Sequence, residues 1–506
     1  EEYKEKEKQR KKVTREISEV FNSLTGRLQY LEDLGLAYLT LDRQARTLSG
    51  GETQRVNLAT ALGSELVSTH FVLDEPSVGL HPRDSRRLIQ AVRNLQTKGN
   101  SLLVVEHDPE FIESADNIIE LGPKAGEEGG EIVYNGDIKD WKGLPKVNIE
   151  NDFKLVDKKT PILTIKNASF RNIENLSVDI PLGRLVTVTG VSGSGKSTLV
   201  TELIYNGFEN LKRGEKLDYK LSSTNEISQV LLVDQSPLAK SPRANIATYS
   251  GIWDYVRSLL SETDSAKANA LSKSSFSFNV DAGRCSTCSG AGFIREDMQF
   301  LSDVYIPCEI CLGKRFQPVV LSVNWNGYNV DDFLNMSVEK CGEVLKHISP
   351  VRDITELLTK LGLGSIRLGH SLSELSGGEA QRLKLVPIVQ ERKKGDSLLI
   401  FDEPTTGLHL LDVKNLIGLL RFLRDEGHSI VCVEHNLTLI NESDWIIDIG
   451  PEGGKEGGKI VFQGTVLNLL KEERSYTGRY LNEYLSKKPK QSVKESKKEN
   501  KNLSKS

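Results

Sequence analysis

The segment Gly190-Val-Ser-Gly-Ser-Gly195-Lys196-Ser197 is the part of this chain whose residue types dictate a chemistry most narrowly. Glycines let backbone N–H groups wrap around phosphate oxygens, Lys196 would reach the β- and γ-phosphates, and Ser197 would offer a hydroxyl to Mg²⁺. Ser192, Gly193, Ser194 and Thr198 complete the cradle, so the run is expected to bind ATP or GTP. Far along the chain, Asp402 and Glu403 end an apolar run. They supply one carboxylate to organise Mg²⁺ and a second to polarise attacking water. Gln235, in VDQSP, and His435, just past Val433, fit the γ-phosphate side as groups that position water or phosphate.

A second chemistry is written in cysteines. Cys285-x-x-Cys288 and Cys308-x-x-Cys311, with 19 residues between the pairs, have the spacing of a four-thiolate zinc site. Four thiolates leave no open position, so the zinc would be structural. A pair of disulfides is the structural alternative, disfavoured in a reducing compartment. Cys341 and Cys432 lack such partners and read as core residues. Arg284, Arg295, Lys314 and Arg315 flank the thiolates and could contact phosphates; an ordinary solvated rim is the alternative.

The elements that must position these groups announce themselves through an internal repeat. LSGGETQR at Leu48–Arg55 returns as LSGGEAQR at Leu375–Arg382. LDEPSVGLH, VVEHD and DNIIELGP return as FDEPTTGLH, CVEHN and DWIIDIGP, each 328 residues later. Each Asp-Glu and each Glu-His pair follows a short apolar run (70–73, 102–105, 398–401, 430–433), which predicts buried parallel strands. Helical spacing over 83–96 and 411–424 supplies the crossovers of an α/β fold. The phosphate loop sits between an apolar run, 185–188, and a helix-like stretch, 198–204, in the later copy alone.

The chain has 506 residues, 38% apolar and 27% charged, enough for several domains, and no stretch suited to crossing a membrane. Its charged beginning lacks the apolar core of an export signal, so a cytoplasmic location is expected. A net charge of −4 excludes a uniformly basic surface but leaves room for a local basic patch. Residues 487–506, with eight Lys against two Glu, read as a disordered, solubilising tail.

LSGGxxQ, a phosphate loop, an Asp-Glu pair and a downstream His together resemble the ABC ATPase superfamily. That resemblance implies that the LSGG segment of one half closes over ATP held by the other. Ser49, Gly50 and Gly51 would then complete the site built from Lys196, Ser197, Gln235, Asp402, Glu403 and His435. Ser376, Gly377, Gly378, Asp74, Glu75 and His107 belong to a second ATP site that has no phosphate loop in these residues. A longer parent chain, a second polypeptide or a first half kept as a lid would each account for that, and a beginning at Glu1 rather than Met favours the first. Within the second half, GRCSTCSGAGF, IPLGRLVTVTGVSGSGKSTL, DQSPLAKSPRAN, DWIIDIGPEGG and SYTGRYL resemble the UvrA family of bacterial nucleotide excision repair.

The resemblance runs from about residue 28 to 485. It implies an ATPase with ATP, Mg²⁺ and Zn²⁺ as cofactors, acting as a homodimer that binds distorted double-stranded DNA and loads a UvrB-like partner. It also implies the missing N-terminal part of the first ATPase half, and no nuclease activity of its own. GLHPRD and SPRAN look closer to UvrA-like paralogues, so the rival reading is a binding or sequestration ATPase of drug resistance. The expected organisation is the end of a first ABC half (1–147), a linker (148–160), a second half (161–270 and 351–485) split by a zinc-binding insertion (271–350), and the tail (486–506).

Overall fold

A computed structural model describes residues 17–487, apart from 19, 23, 46–47, 49, 64–66, 123–128, 144–151, 235–237, 239–240, 242, 297–303 and 391–395. Gln235, Ser49 and the Lys-rich tail beyond 487 therefore lie outside the described residues.

In the first half, β1 (His70–Asp74) pairs in parallel with β2 (Ser101–Val105), and β3 (Asn117–Gly122) pairs antiparallel with β4 (Glu131–Asp137). Helix Pro82–Thr97 covers one face, burying Leu88, Ala91, Val92 and Leu95. Among the described residues nothing covers Val72 of β1, Leu103 and Val105 of β2, or Ile119 and Leu121 of β3, which are exposed.

The second half opens with an antiparallel sheet of β5 (Ile162–Phe170), β6 (Ile173–Pro181) and β8 (Lys220–Ser223). Its main sheet contains β7 (Leu185–Thr189), β9 (Gln229–Val233), β12 (Ser397–Asp402), β13 (Ser429–Val433), β14 (Trp445–Gly450) and β15 (Lys459–Gly464). Their order is β15-β14-β7-β13-β12-β9, parallel except at the β15 edge. Both faces are covered, which is why the strand sequences read as unbroken apolar runs. Val186, Leu398, Ile400 and Val431 pack toward β5 and β6, while Leu185, Leu399, Phe401 and Ile430 pack toward a helical body. That body carries the hairpin β10 (Phe293–Glu296) and β11 (Val304–Pro307) beside the cysteines. Helices Ile252–Ser261 and Ser349–Lys360 share one apolar cluster with Phe276, Phe316 and Phe333.

The connection between halves is tied down where it is described. Arg424, fully buried, donates to the Asp152 carbonyl (2.8 Å) and carboxylate (2.7 Å) and to Asp444 (3.2 Å). The Lys154 amide donates to Asp444 (2.7 Å), and Arg184 donates to the Leu155 carbonyl. Among the described residues no helix is long and apolar enough to cross a membrane.

Candidate functional site

β7 delivers the chain to the phosphate loop. Gly190 turns there with φ +131°, and a Cβ would fall 1.9 Å from the Ile449 carbonyl oxygen, so no side chain fits. After the loop, Ser197 leads into the π-wound helix Thr198–Tyr205. Lys196 folds back, its Nζ donating to the carbonyls of Gly190 (3.0 Å) and Val191 (2.9 Å). Burial pushes its pKa down, opposed by Glu403, Asp84, Asp402 and Asp448. The hydroxyls of Ser192 and Ser194 are buried with no hydrogen-bond partner among the described residues. A buried ammonium satisfied by loop carbonyls, beside orphaned hydroxyls, fits a site whose missing partner is phosphate.

Asp402 and Glu403 stand at the end of β12, Glu403 in the left-handed region at φ +49°. Burial raises the pKa of Asp402, with Lys196 opposing. Burial, then the charges of Asp402 and Glu434, raise Glu403 to about 7. His435 is 8% exposed, neither ring nitrogen has a hydrogen-bond partner among the described residues, and Nε2 lies 4.0 Å from Glu403 Oε1. Burial, helped by Lys196, His81 and Arg55, drives its pKa well below the usual imidazole value.

Two supporting residues escaped the sequence reading. Glu434 accepts from the amides of Thr405 (2.9 Å), His435 (2.7 Å) and Asn436 (2.9 Å), fastening the loops after β12 and β13 together. Glu106 repeats this in the first half with Ser77, His107 and Asp108. The signal was a Glu before each His in both copies. Gln381 donates to the carbonyls of Val233 (3.0 Å) and Asp402 (2.7 Å), bracing β9 against β12. Its signal was the Gln shared by both LSGG segments.

The first half reaches into this site. Gly50 and Gly51 begin helix Gly50–Gly63. Asp84 accepts from the Ser192 amide of the phosphate loop (3.2 Å), and a Cβ on Gly79 would come 2.9 Å from Glu403 Oε2. His81 is wholly buried: its Nδ1 accepts from the Arg83 amide (3.2 Å) and its Nε2 meets Thr477 Oγ1 (3.1 Å), its ring edge-on to those of His435 and Tyr480. Arg83 grips Glu452 through two 2.9 Å bonds and lies over the Tyr476 ring; Arg86 bridges Glu110 and Glu483.

The residues expected at the second ATP site assemble only in part. Ser376 caps helix Gly377–Leu383, exchanging bonds with Glu379, and Gly378 is buried against the Thr406 carbonyl. Asp74 ends β1, and Glu75 follows at φ +43° with His107 Nε2 3.4 Å from its carboxylate. Their hydrogen bond is the largest influence on both, lowering the Glu75 pKa and raising that of His107. That partly exposed pair contrasts with its buried counterpart, Glu403 and His435, whose shifts run the opposite way.

Cys285, Cys288, Cys308 and Cys311 are all buried, with their sulfurs within 4.8 Å of one another. Cys285 and Cys308 Sγ are 4.0 Å apart, and Cys288 and Cys311 Sγ are 3.6 Å apart. A tetrahedral zinc with bonds of about 2.3 Å sets sulfurs about 3.8 Å apart, so the cluster fits that ion. The Gly292 amide donates to Cys288 Sγ (3.3 Å), the support a thiolate needs. Two of the flanking cations have defined partners. Arg315 is mostly buried and donates to the Gly369 carbonyl (2.9 Å), while Arg284 is held by Asp281 (2.7 Å). Arg284 thus pairs within the module, and Arg315 ties it to the segment that carries Gly369.

No protein-family model matches the chain. It is 43% identical to UvrABC system protein A of Clostridium acetobutylicum over 482 residues, 92% of this chain and 51% of that protein. It is 44% identical to the same-named protein of Aquifex aeolicus over 472 residues, 90% of this chain and 51% of the relative. The chain thus spans about half the length of the curated relatives it matches. Among solved structures, UvrA2 from Deinococcus radiodurans superposes with a TM-score of 0.84 at 40% identity, covering 90% of this chain and 57% of that one.

Proposed function

Because the chain belongs to the UvrA family over the segment it spans, we propose that it forms one composite ATP site between its two halves and uses ATP to govern binding to distorted duplex DNA. The observation that carries this reading is the closure of the first half on the phosphate loop: Asp84 on the Ser192 amide and Gly79 against Glu403.

In this reading the backbone of Gly190, Gly193 and Gly195 and the hydroxyls of Ser192, Ser194 and Thr198 cradle the phosphates. Lys196 leaves the carbonyls of Gly190 and Val191 for the phosphate oxygens, exchanging neutral acceptors for charged ones. Ser197 and Asp402 would hold Mg²⁺, which neutralises phosphate charge when bound. Glu403 accepts a proton from the attacking water, while His435 and Gln235 position water and phosphate. Ser49, Gly50 and Gly51 close the site from the first half.

Asp74, Glu75, His107, Ser376, Gly377 and Gly378 await a phosphate loop from the rest of the first ATPase half. The bare face of β1, β2 and β3 is apolar enough to pack against that part. The four thiolates hold zinc as a structural clamp. Lesions chemically unrelated to one another are sensed through duplex deformability. UvrB-like loading, a homodimer, a cytoplasmic location and the absence of nuclease activity complete the proposal.

The test is fluorescence anisotropy on a duplex with one bulky lesion and on its undamaged twin, with and without ATP. ATP-dependent preference for the lesion is expected. Equal binding with hydrolysis intact would refute the repair role and favour a paralogue outside repair, the second reading, which the GLHPRD and SPRAN segments support.

A further inference from the structure

Tyr38 lies in the first half, ten residues ahead of the LSGG segment, yet its ring rests in a cradle made by the second half. The cradle is three glycines. A Cβ on Gly193 of the phosphate loop would come 2.7 Å from Tyr38 Cε2, one on Gly453 3.1 Å from Cδ1, and one on Gly454 2.9 Å from Cβ. Any side chain at these positions would meet the tyrosine. The other end of the ring is fixed as well: the Tyr38 hydroxyl donates to Glu52 Oε1 at 2.6 Å. Glu52 sits in the first turn of helix Gly50–Gly63, directly after the LSGG glycines, and is itself buried. One side chain therefore spans the LSGG helix of one half and the phosphate loop of the other.

We propose that Tyr38 is a positioning residue of the composite ATP site, a strut that sets how far the LSGG glycines stand from the phosphate loop. The inference rests on the ATP reading of that site. Tyr38 touches neither Lys196 nor the Asp402–Glu403 pair, so it acts on where the two halves meet and not on the chemistry of either. Tyr38 packs against glycine backbone, while the short bond to a carboxylate fixes the direction of its ring; together they define one separation. Losing the hydroxyl leaves the LSGG helix free to drift, and transition-state alignment is sensitive to displacements of an ångström.

The experiment uses the full chain and four variants: Tyr38→Phe, Tyr38→Ala, Tyr38→Phe combined with Glu52→Gln, and Lys196→Ala. ATP affinity is read with a fluorescent ATP analogue, turnover by phosphate release, and folding by thermal unfolding. Tyr38→Phe is expected to keep its unfolding temperature and to bind the analogue within about twofold of the parent, since the phosphate loop is intact. Its kcat should fall about 10-fold, the scale of a lost hydrogen bond to a charged group. Tyr38→Ala should fall further, and Tyr38→Phe with Glu52→Gln should cost no more than Tyr38→Phe alone. Unchanged kcat in Tyr38→Phe and Tyr38→Ala, with Lys196→Ala inactive, would overturn the strut alone. So would a kcat loss in Tyr38→Phe that tracks a lowered unfolding temperature, because that is a purely structural role. Full turnover by Lys196→Ala would overturn the ATP reading and the strut with it.

Discussion

His81 offers a pH test of how the two halves hold together. The ring is wholly buried, capping helix Pro82–Thr97 through Nδ1 and facing Thr477 through Nε2. A neutral ring with its proton on Nε2 satisfies both contacts; a second proton on Nδ1 would confront the Arg83 amide. Burial lowers the pKa from 6.5 to about 3; Asp84 opposes the shift, and Lys196 and Arg83 reinforce it. The folded pKa lies below the unfolded one, so the unfolded chain binds the extra proton first. The contribution is therefore complete above about pH 6.5 and is lost as pH falls toward 3. At 1.36 kcal/mol per unit the full loss is about 5 kcal/mol, and about 2 kcal/mol has gone by pH 5. Denaturant unfolding at pH 7.5 and pH 5.0, for the parent and for His81→Gln, isolates it, because other groups titrate in both proteins. The parent should lose about 2 kcal/mol more than the variant across that interval. Equal losses would mean that His81 is hydrated and titrates alike in the folded and unfolded chain, and the packed interface drawn from its burial would be wrong.

Lys196→Ala should abolish ATP hydrolysis and leave zinc content unchanged, measured by phosphate release and by elemental analysis of the same sample. Cys308→Ser should release the zinc and unfold the module locally, because metal binding at such a site is folding free energy; proteolysis near the cysteines would report it. Arg424→Met should destabilise the second half by about 3 kcal/mol, since Asp444 stays buried without its cation, and Asp444→Asn in the same chain should recover part of that in denaturant unfolding.

The strands of the repeat could be read from sequence to within a residue or so: β12 and β13 are buried on both faces and so apolar at nearly every position, and β1 and β2 carry the same apolar runs although alternate residues are exposed. The phosphate loop and the four cysteines were legible for a related reason: their chemistry is local, and local spacing encodes it. What stayed hidden was contact between distant segments. Nothing around Tyr38 announces Gly193 and Gly453, and nothing in GLHPRD announces that His81 meets Thr477, 396 residues away. Glu434 and Gln381 were visible as repeated letters but not as clamps, since their partners are backbone atoms with no sequence signature. The partners of Arg284 and Arg315 were equally hidden, because a charge in sequence carries no sign of which carbonyl or carboxylate it meets.

The approach of Gly79 to Glu403 is mirrored by that of Gly407 to Glu75, where a Cβ would lie 3.6 Å from the carboxylate oxygens. In each half the glycine lies four residues after the glutamate, on the same short loop. On the reading of two ATP sites, a ligand that shifts one glutamate would press on the loop carrying the other half's glycine, and through it on the other glutamate. Thermodynamic linkage then requires symmetry: whatever factor occupancy of one site imposes on affinity at the other is returned in full. A substitution at Gly79 or Gly407 should therefore be read at both sites, since each glycine borders the other half's glutamate.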